Sequence, residues 1–200
     1  MSAVAAIILA AGRGTRFGEE SKLLARFDGK ALVRRVAEAA VQSTADPVIV
    51  VTGHHAEDVE AELTGLPIQV VYNPLFADGL STSLKAAFSA LPPEARAAIV
   101  LLGDMPFISS ELIDALVAGW HKRKEPAALV PVLNGQRGNP VVLSRALQAM
   151  IEELSGDIGA GSILRGRPDV QEWPTEDSAV IQDIDTRDEL AKHESGRPRV

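Results

Sequence analysis

Short runs of apolar, largely branched residues alternate along this chain with longer segments in which apolar residues return at helical spacing. Few architectures accept that alternation. Strands buried on both faces and joined through helices call for a doubly wound α/β fold, a mostly parallel sheet with helices on both faces. Strands are expected at residues 4–9, 48–51, 68–72 and 99–102, each bounded by polar or turn-forming residues. Between them Leu32, Val33, Val36, Ala37, Ala40 and Val41 mark one helix, and Leu112, Ile113, Leu116, Val117 and Trp120 another. Ser109 or Ser110 caps the second helix, with Glu111 and Asp114 in its first turn near the positive end of the dipole.

The second half is less regular. A strand is expected at 128–133, a turn at Asn134-Gly135, a short return strand at 140–143 and a helix at 146–154. A glycine-rich break follows, then a late strand at 180–184 and a C-terminal helix begun by Thr186. With 200 residues the chain fits one domain, taken as 1–195, with a frayed tail at 196–200. Aromatic residues are 4% of the sequence, so the core must be packed mainly from Ala, Val, Leu and Ile.

A net charge of −7 removes the broad attraction that a general nucleic-acid or anionic-membrane binder needs. Any anionic ligand must therefore meet a local cationic site. The chain has no cysteine, which excludes disulfides, thiolate metal sites and a thiol nucleophile. The apolar run 4–11 is far shorter than the ~20 residues of a spanning helix, and no basic segment precedes it. A soluble, cytoplasmic protein is expected.

The strongest local feature follows the first expected strand: Leu9-Ala10-Ala11-Gly12-Arg13-Gly14-Thr15-Arg16-Phe17-Gly18, then Lys22. Open parallel sheets bind ligands at the carboxyl ends of their strands, and small residues let the backbone approach phosphate oxygens. Arg16 and Lys22 supply positive charge. Phe17 breaks the dinucleotide Gly-x-Gly-x-x-Gly pattern, and no Gly-Lys-Ser/Thr ending is present. The bland alternative is a flexible glycine turn with exposed basic residues.

Gly103-Asp104-Met105-Pro106 ends the fourth strand, where an aspartate reaches the same crevice and suits magnesium, an ion that favours carboxylates, water and substrate phosphates. Asp104 is the first candidate metal ligand, against a turn aspartate as the alternative. Asp183-Ile184-Asp185-Thr186 offers a second carboxylate from Asp183, Asp185 or both, with Asp185 favoured; a helix-capping Asp185 or Thr186 is the alternative. Residues 78–84 place a glycine and the hydroxyls of Ser81, Thr82 and Ser83 at a helix start whose amides suit a phosphate or a base edge, with a plain capped helix start as the equal alternative. Arg137-Gly138-Asn139-Pro140 places a cation at a strand entry, facing an acceptor or serving a plain hairpin. The histidines suggest no metal site or hydrolytic triad: His54 and His55 lie near a helix start, and His121 and His193 are expected on exposed late-helix positions.

In this order, residues 9–22, 79–84, 103–106, 137–140 and 183–186 resemble the MobA-like nucleotidyltransferase family over nearly the whole chain. Within it the sequence is most similar to the molybdenum cofactor cytidylyltransferases. That resemblance implies a nucleotide-diphospho-sugar transferase-like fold, a Mg2+ cofactor, and transfer of CMP from CTP to the molybdenum cofactor with release of pyrophosphate. It also implies transient contact with a molybdenum hydroxylase or its maturation factor. By this resemblance Arg16, Lys22 and Asp104 are catalytic, Asp104 and Asp185 hold the metal, and Leu9, Ala10, Ala11, Gly12, Arg16, Lys22, Ser81 and Ser83 bind the nucleotide. Ala11 stands where guanylyl-transferring relatives carry glycine, which points to cytosine. Residues 154–160 resemble an acceptor-side loop of the cytidylyl group, although Gly161 replaces a commonly basic residue. Transfer to another phosphorylated small molecule and a non-catalytic nucleotide-binding delivery protein are the alternatives; an oxidoreductase is disfavoured by the first loop.

Overall fold

The computed structural model describes residues 3–12, 14, 17 and 21–195. Its centre is β1 (Ala3–Ala10), a wholly apolar strand flanked on both sides by parallel neighbours, β4 (Val48–Thr52) and β6 (Ala95–Leu102). From β4 the sheet runs outward to β5 (Gln69–Tyr72). Beyond β6 lie β9 (Val141–Ser144), antiparallel to both its neighbours, then β7 (Ala128–Leu133), and β10 (Val170–Pro174) at the far edge. A two-residue strand β8 (Gln136–Arg137) folds back on β7 through Asn134-Gly135, both at positive φ as a tight hairpin turn requires. A separate small hairpin joins β2 (Arg26–Phe27) to β3 (Lys30–Ala31).

Alternation along the strands divides the core into two layers. Val4, Ala6, Ile8 and Ala10 of β1, with Val48, Val50, Ala97, Ile99 and Leu101, pack beneath α1 (Leu32–Gln42), α2 (Ala56–Glu62) and α4 (Ser110–Lys122). Ala5 and Ile7, with Ile49, Val51, Ala98 and Val100, pack beneath α3 (Leu80–Ser89) and α5 (Gln148–Glu152). Each Val, Leu or Ile buried in these layers contributes roughly 1.5–3 kcal/mol, and the sheet is covered on both faces as expected. A third cluster joins Phe17, Phe27, Leu32 and Ile184, with Leu190 of α6 (Arg187–Ser195) packed against it. It ties the C-terminal segment to the residues that follow β1.

Several expected boundaries move. β6 begins four residues early because Ala95 to Ala98, poor strand formers alone, are zipped onto Ala3 to Ala5 of β1. The expected strand at 180–184 is instead a short 3-10 turn, Ser178–Ile181, and a non-sheet segment. Asp177 caps that turn by accepting from the amide of Ala179 at 2.9 Å, while the carbonyl of Val180 accepts from the amide of Asn139 at 2.8 Å. Val180 and Ile184 are fully buried, so the apolar run there reports burial without sheet pairing. The last strand, β10, went unanticipated because a half-exposed edge strand with the sequence Val-Gln-Glu-Trp-Pro carries no apolar run. Ser109 caps α4 as expected; Asp114 instead accepts from the amide and hydroxyl of Thr44. His121 and His193 are half-buried, the His193 ring lying tilted with its centroid 4.7 Å from that of Phe107. Among the described residues no helix is long and apolar enough to cross a membrane. The expected frayed tail at 196–200 lies outside the described residues.

Candidate active site

From β1 the main strands proceed to one side through β4 and β5, and the chain then returns to β6 on the other. The carboxyl ends of β1 and β6 therefore flank a topological switch point, the place where open α/β sheets receive ligands. Leu9 pairs with Leu102, and the amide of Gly103 donates to the carbonyl of Leu9 at 3.1 Å. The loop after β1 and Asp104 after β6 are thereby held side by side.

Two further segments close on this point. Lys22 opens a 3-10 turn, Lys22–Leu24, and reaches back with its ammonium to Asp104 Oδ2 at 2.6 Å and Asp185 Oδ1 at 2.7 Å. The C-terminal segment is fastened where the amide of Ile184 donates to the carbonyl of Asp104 at 3.0 Å. Thr186 and Glu189 form a reciprocal capping box at the start of α6. The Glu189 amide donates to Thr186 Oγ1, and the amides of Asp185 and Thr186 donate to Glu189 Oε2. Capping thus falls to Thr186, and the carboxylate of Asp185 is turned to Lys22. Asp183, exposed on the rim, belongs to the same group: Asp104, Asp183 and Asp185 each offer a carboxylate oxygen within 4.8 Å of the others.

The electrostatics follow from this crowding. Burial alone pushes the Lys22 ammonium toward losing its proton, but Asp104, by charge and hydrogen bond, and then Asp185 outweigh it, so its pKa is raised. The packing around Asp183 pushes its pKa up; a backbone hydrogen bond opposes this, the charges of Asp185 and Asp104 reinforce it, and Lys22 works against it. Asp104 Oδ1 is buried with no hydrogen-bond partner among the described residues, a position that burial makes costly unless a further group satisfies it. Three carboxylates, one of them with a buried oxygen that has no partner among the described residues, form a donor set that fits a hard divalent cation such as magnesium, and the Lys22 ammonium lies between two of them.

Beside this group opens a cavity of about 620 Å³. Of the residues expected to bind the nucleotide, Leu9, Ala11, Gly12, Lys22 and Ser83 line it, as does Asp104. Ala10 does not; it is fully buried in the layer beneath. Ser81 does not either: its hydroxyl is buried with no hydrogen-bond partner among the described residues, and its amide donates to the carbonyl of Gly156. Ser83 is oriented by Asn73, whose side-chain amide donates to Ser83 Oγ at 3.0 Å. Arg16, expected to be catalytic, lies outside the described residues.

At two segments the structural alternative holds in place of ligand contact. The first-turn amides of α3 are not open to a phosphate, because Asp157 Oδ1 accepts from the amide of Leu80 at 3.3 Å and Gly156 takes that of Ser81. Gly79 permits that docking: it sits at φ 109°, and a side chain there would collide with the backbone of Gly156 and Asp157. Arg137 does not line the cavity either. It is exposed on β8 and pairs with Glu172 of β10 at 3.0 Å, while Gly138 leaves room for the carbonyl of Val180. The pattern at 137–140 is thus accounted for by packing. Reasoning from sequence missed Asn73 and Phe76, although both follow the carboxyl end of β5 at positions equivalent to the other loops.

Known proteins resemble the chain over nearly its whole length. It is 27% identical over 197 residues to nicotine blue oxidoreductase of Paenarthrobacter nicotinovorans, covering 94% of each chain. It is 29% identical over 192 residues to molybdenum cofactor cytidylyltransferase of Escherichia coli K12, covering 95% of each. The solved structure of Rv0371c from Mycobacterium tuberculosis H37Rv in complex with manganese superimposes with a TM-score of 0.80 at 23% identity, covering 98% of this chain and all, 100%, of that one. The profile of the MobA-like NTP transferase domain matches residues 6–172, which contain the loop after β1, Lys22 and Asp104 in the arrangement just described, and the chain belongs to that family.

Proposed function

We propose that this protein is a divalent-metal-dependent cytidylyltransferase, moving CMP from CTP to a phosphorylated acceptor, with the molybdenum cofactor the foremost candidate. The observation that carries the reading is the convergence of Lys22, Asp104, Asp183 and Asp185 on the mouth of a cavity lined by the small residues after β1. The similarity to a molybdenum cofactor cytidylyltransferase supports the acceptor, and Ala11 supports cytosine.

In the reaction an oxygen of the acceptor phosphate attacks the α-phosphorus of CTP. A new P–O bond forms, the bond from the α-phosphorus to the bridging oxygen breaks, and pyrophosphate leaves with that electron pair. The attacking phosphate is already ionised at neutral pH, so neither a protein nucleophile nor a strong general base is needed. The protein's share is orientation and charge neutralisation. Lys22, with Arg16 as the second proposed cation, binds phosphate oxygens. Leu9, Ala11 and Gly12 approach the nucleoside, and Ser83, fixed by Asn73, offers a hydroxyl to it. Asp104, Asp183 and Asp185 would hold Mg2+, which when bound supplies neutralisation of the triphosphate charge; a protein of this fold is known as a manganese complex. Ala10 and Ser81 support the loop and helix from behind. Such a CTP-consuming enzyme works in the cytoplasm and passes its product to a molybdenum hydroxylase or its maturation factor.

The test is pyrophosphate release from each of the four nucleoside triphosphates with Mg2+, against the molybdenum cofactor and simple phosphorylated compounds. CTP with the molybdenum cofactor is expected to be fastest, and Asp104→Asn to lower that rate by roughly 100-fold or more while thermal unfolding stays close to wild type. Full activity of that variant removes Asp104 from the site. A second reading, an oxidoreductase, rests on the likeness to nicotine blue oxidoreductase at nearly the same identity. Oxidation of NADH or NADPH in the same panel, without pyrophosphate release, would favour it.

A further inference from the structure

We propose that Lys22 holds the place of the divalent cation in the ligand-free protein, so that the cation enters together with the nucleotide rather than before it. The inference rests on the carboxylate group being a cation site, as proposed above, and goes on to what keeps that site closed. Lys22 is no surface pair partner: its side chain is 13% exposed, that of Asp104 18% and that of Asp185 34%. Its ammonium bonds one oxygen from each of two carboxylates that, with Asp183, stand close enough to share an ion. A cation arriving alone must therefore displace or repel a like charge already hydrogen-bonded there.

The geometry also supplies the release. Lys22 is packed beside the loop after β1, where a Cβ on Gly14 would stand 3.1 Å from the Cβ of Lys22. A lysine on a flexible four-carbon stem passes from carboxylates to phosphate oxygens by rotamer change alone. A triphosphate seated at the loop brings a stronger counter-charge, draws the ammonium off Asp104 and Asp185, and opens those oxygens to the cation. Lys22 thus serves twice, as counter-ion of the empty site and as phosphate ligand of the filled one. Nucleotide and metal become coupled through one side chain, beyond the coupling that phosphate oxygens create by binding the metal themselves.

Isothermal titration of Mn2+ into nucleotide-free protein tests this with a readout separate from turnover. Lys22→Met and Lys22→Gln are expected to bind Mn2+ about tenfold more tightly than wild type, within the ~5–150-fold range usual for coupled sites, and the gap is expected to close with α,β-methylene-CTP present. Equal or weaker Mn2+ binding by both variants overturns the proposal. Wild-type protein gives a check that needs no variant. Saturating Mn2+ without nucleotide should speed acetylation of Lys22 by acetic anhydride, read by mass spectrometry, and an unchanged rate overturns the displacement. Pyrophosphate release from CTP by wild type, with no tightening in the variants, would sink this inference and leave the proposed function standing. Tighter Mn2+ binding in the variants, with no triphosphate turned over by wild type, would leave this inference standing and sink the proposed function.

Discussion

Asp185 stands just before α6, at a place where an aspartate ordinarily serves as a helix cap. Thr186 has that task, and the consequence is measurable: Thr186→Ala should lower stability by about 1 kcal/mol in urea unfolding, the usual worth of such a cap. Gly79 carries a different constraint, since its φ of 109° and its contact with Gly156 and Asp157 both exclude a side chain. Gly79→Ala is predicted to destabilise by at least ~1–3 kcal/mol and to weaken nucleotide binding, because α3 and the 155–157 loop line the same cavity. Thermal melts with and without CTP check it; an unchanged melting temperature contradicts it. Asp104 was legible in the sequence because a charged residue just past an apolar strand has one end of the sheet to occupy; Asp185 was found although the apolar run before it forms no strand, and Lys22 through the glycine-rich segment it follows. Ser81 was not separable from Ser83, since the rotation of α3 is set by packing against β4 and α5 rather than by spacing along the chain. Arg137 misled for the opposite reason: its glycine neighbour signals close backbone packing against Val180, not a ligand.

At the scale of elements, helical period identified α1 and α4 with nearly their observed limits because each covers one apolar layer and exposes its other face. Where burial and pairing part company the reading failed, as at 180–184, apolar but unpaired, and at β10, paired but half-exposed. Those two elements owe their conformation to partners distant in the chain. The start of α6 gives a pH-dependent prediction. The amides of Asp185 and Thr186 hold the Glu189 carboxylate below its ordinary value of 4.5. Because its folded pKa is lowered, its contribution is complete above the unfolded value and is lost as the pH falls through the folded one. Wild type should therefore exceed Glu189→Gln in stability at neutral pH, and the two should converge in acid unfolding; a constant difference across the range contradicts the assignment. On the other face of the sheet, Phe88 is fully buried between α3 and the strands. Phe88→Ala is expected to cost about 3–5 kcal/mol by denaturant titration.

The whole molecule is arranged around one crossing. Strands leave β1 to one side and the chain returns on the other, so that the loops after β1 and β6 open the same crevice, and a C-terminal segment, fastened by Ile184 and α6, brings Asp183 and Asp185 to it. The match to the family covers the loops after β1 and β6, while the proposed metal set also needs the C-terminal segment, which joins the site from residues beyond the matched 6–172. The claim at the centre is that these separate segments converge to hold a cation against a triphosphate. Anomalous diffraction from crystals grown with Mn2+ and α,β-methylene-CTP tests it most directly. One manganese peak is expected among the carboxylates of Asp104, Asp183 and Asp185, with the triphosphate beside Leu9 to Gly12 and Lys22 turned onto it. A nucleotide bound elsewhere, or a peak absent from that carboxylate group, would contradict it.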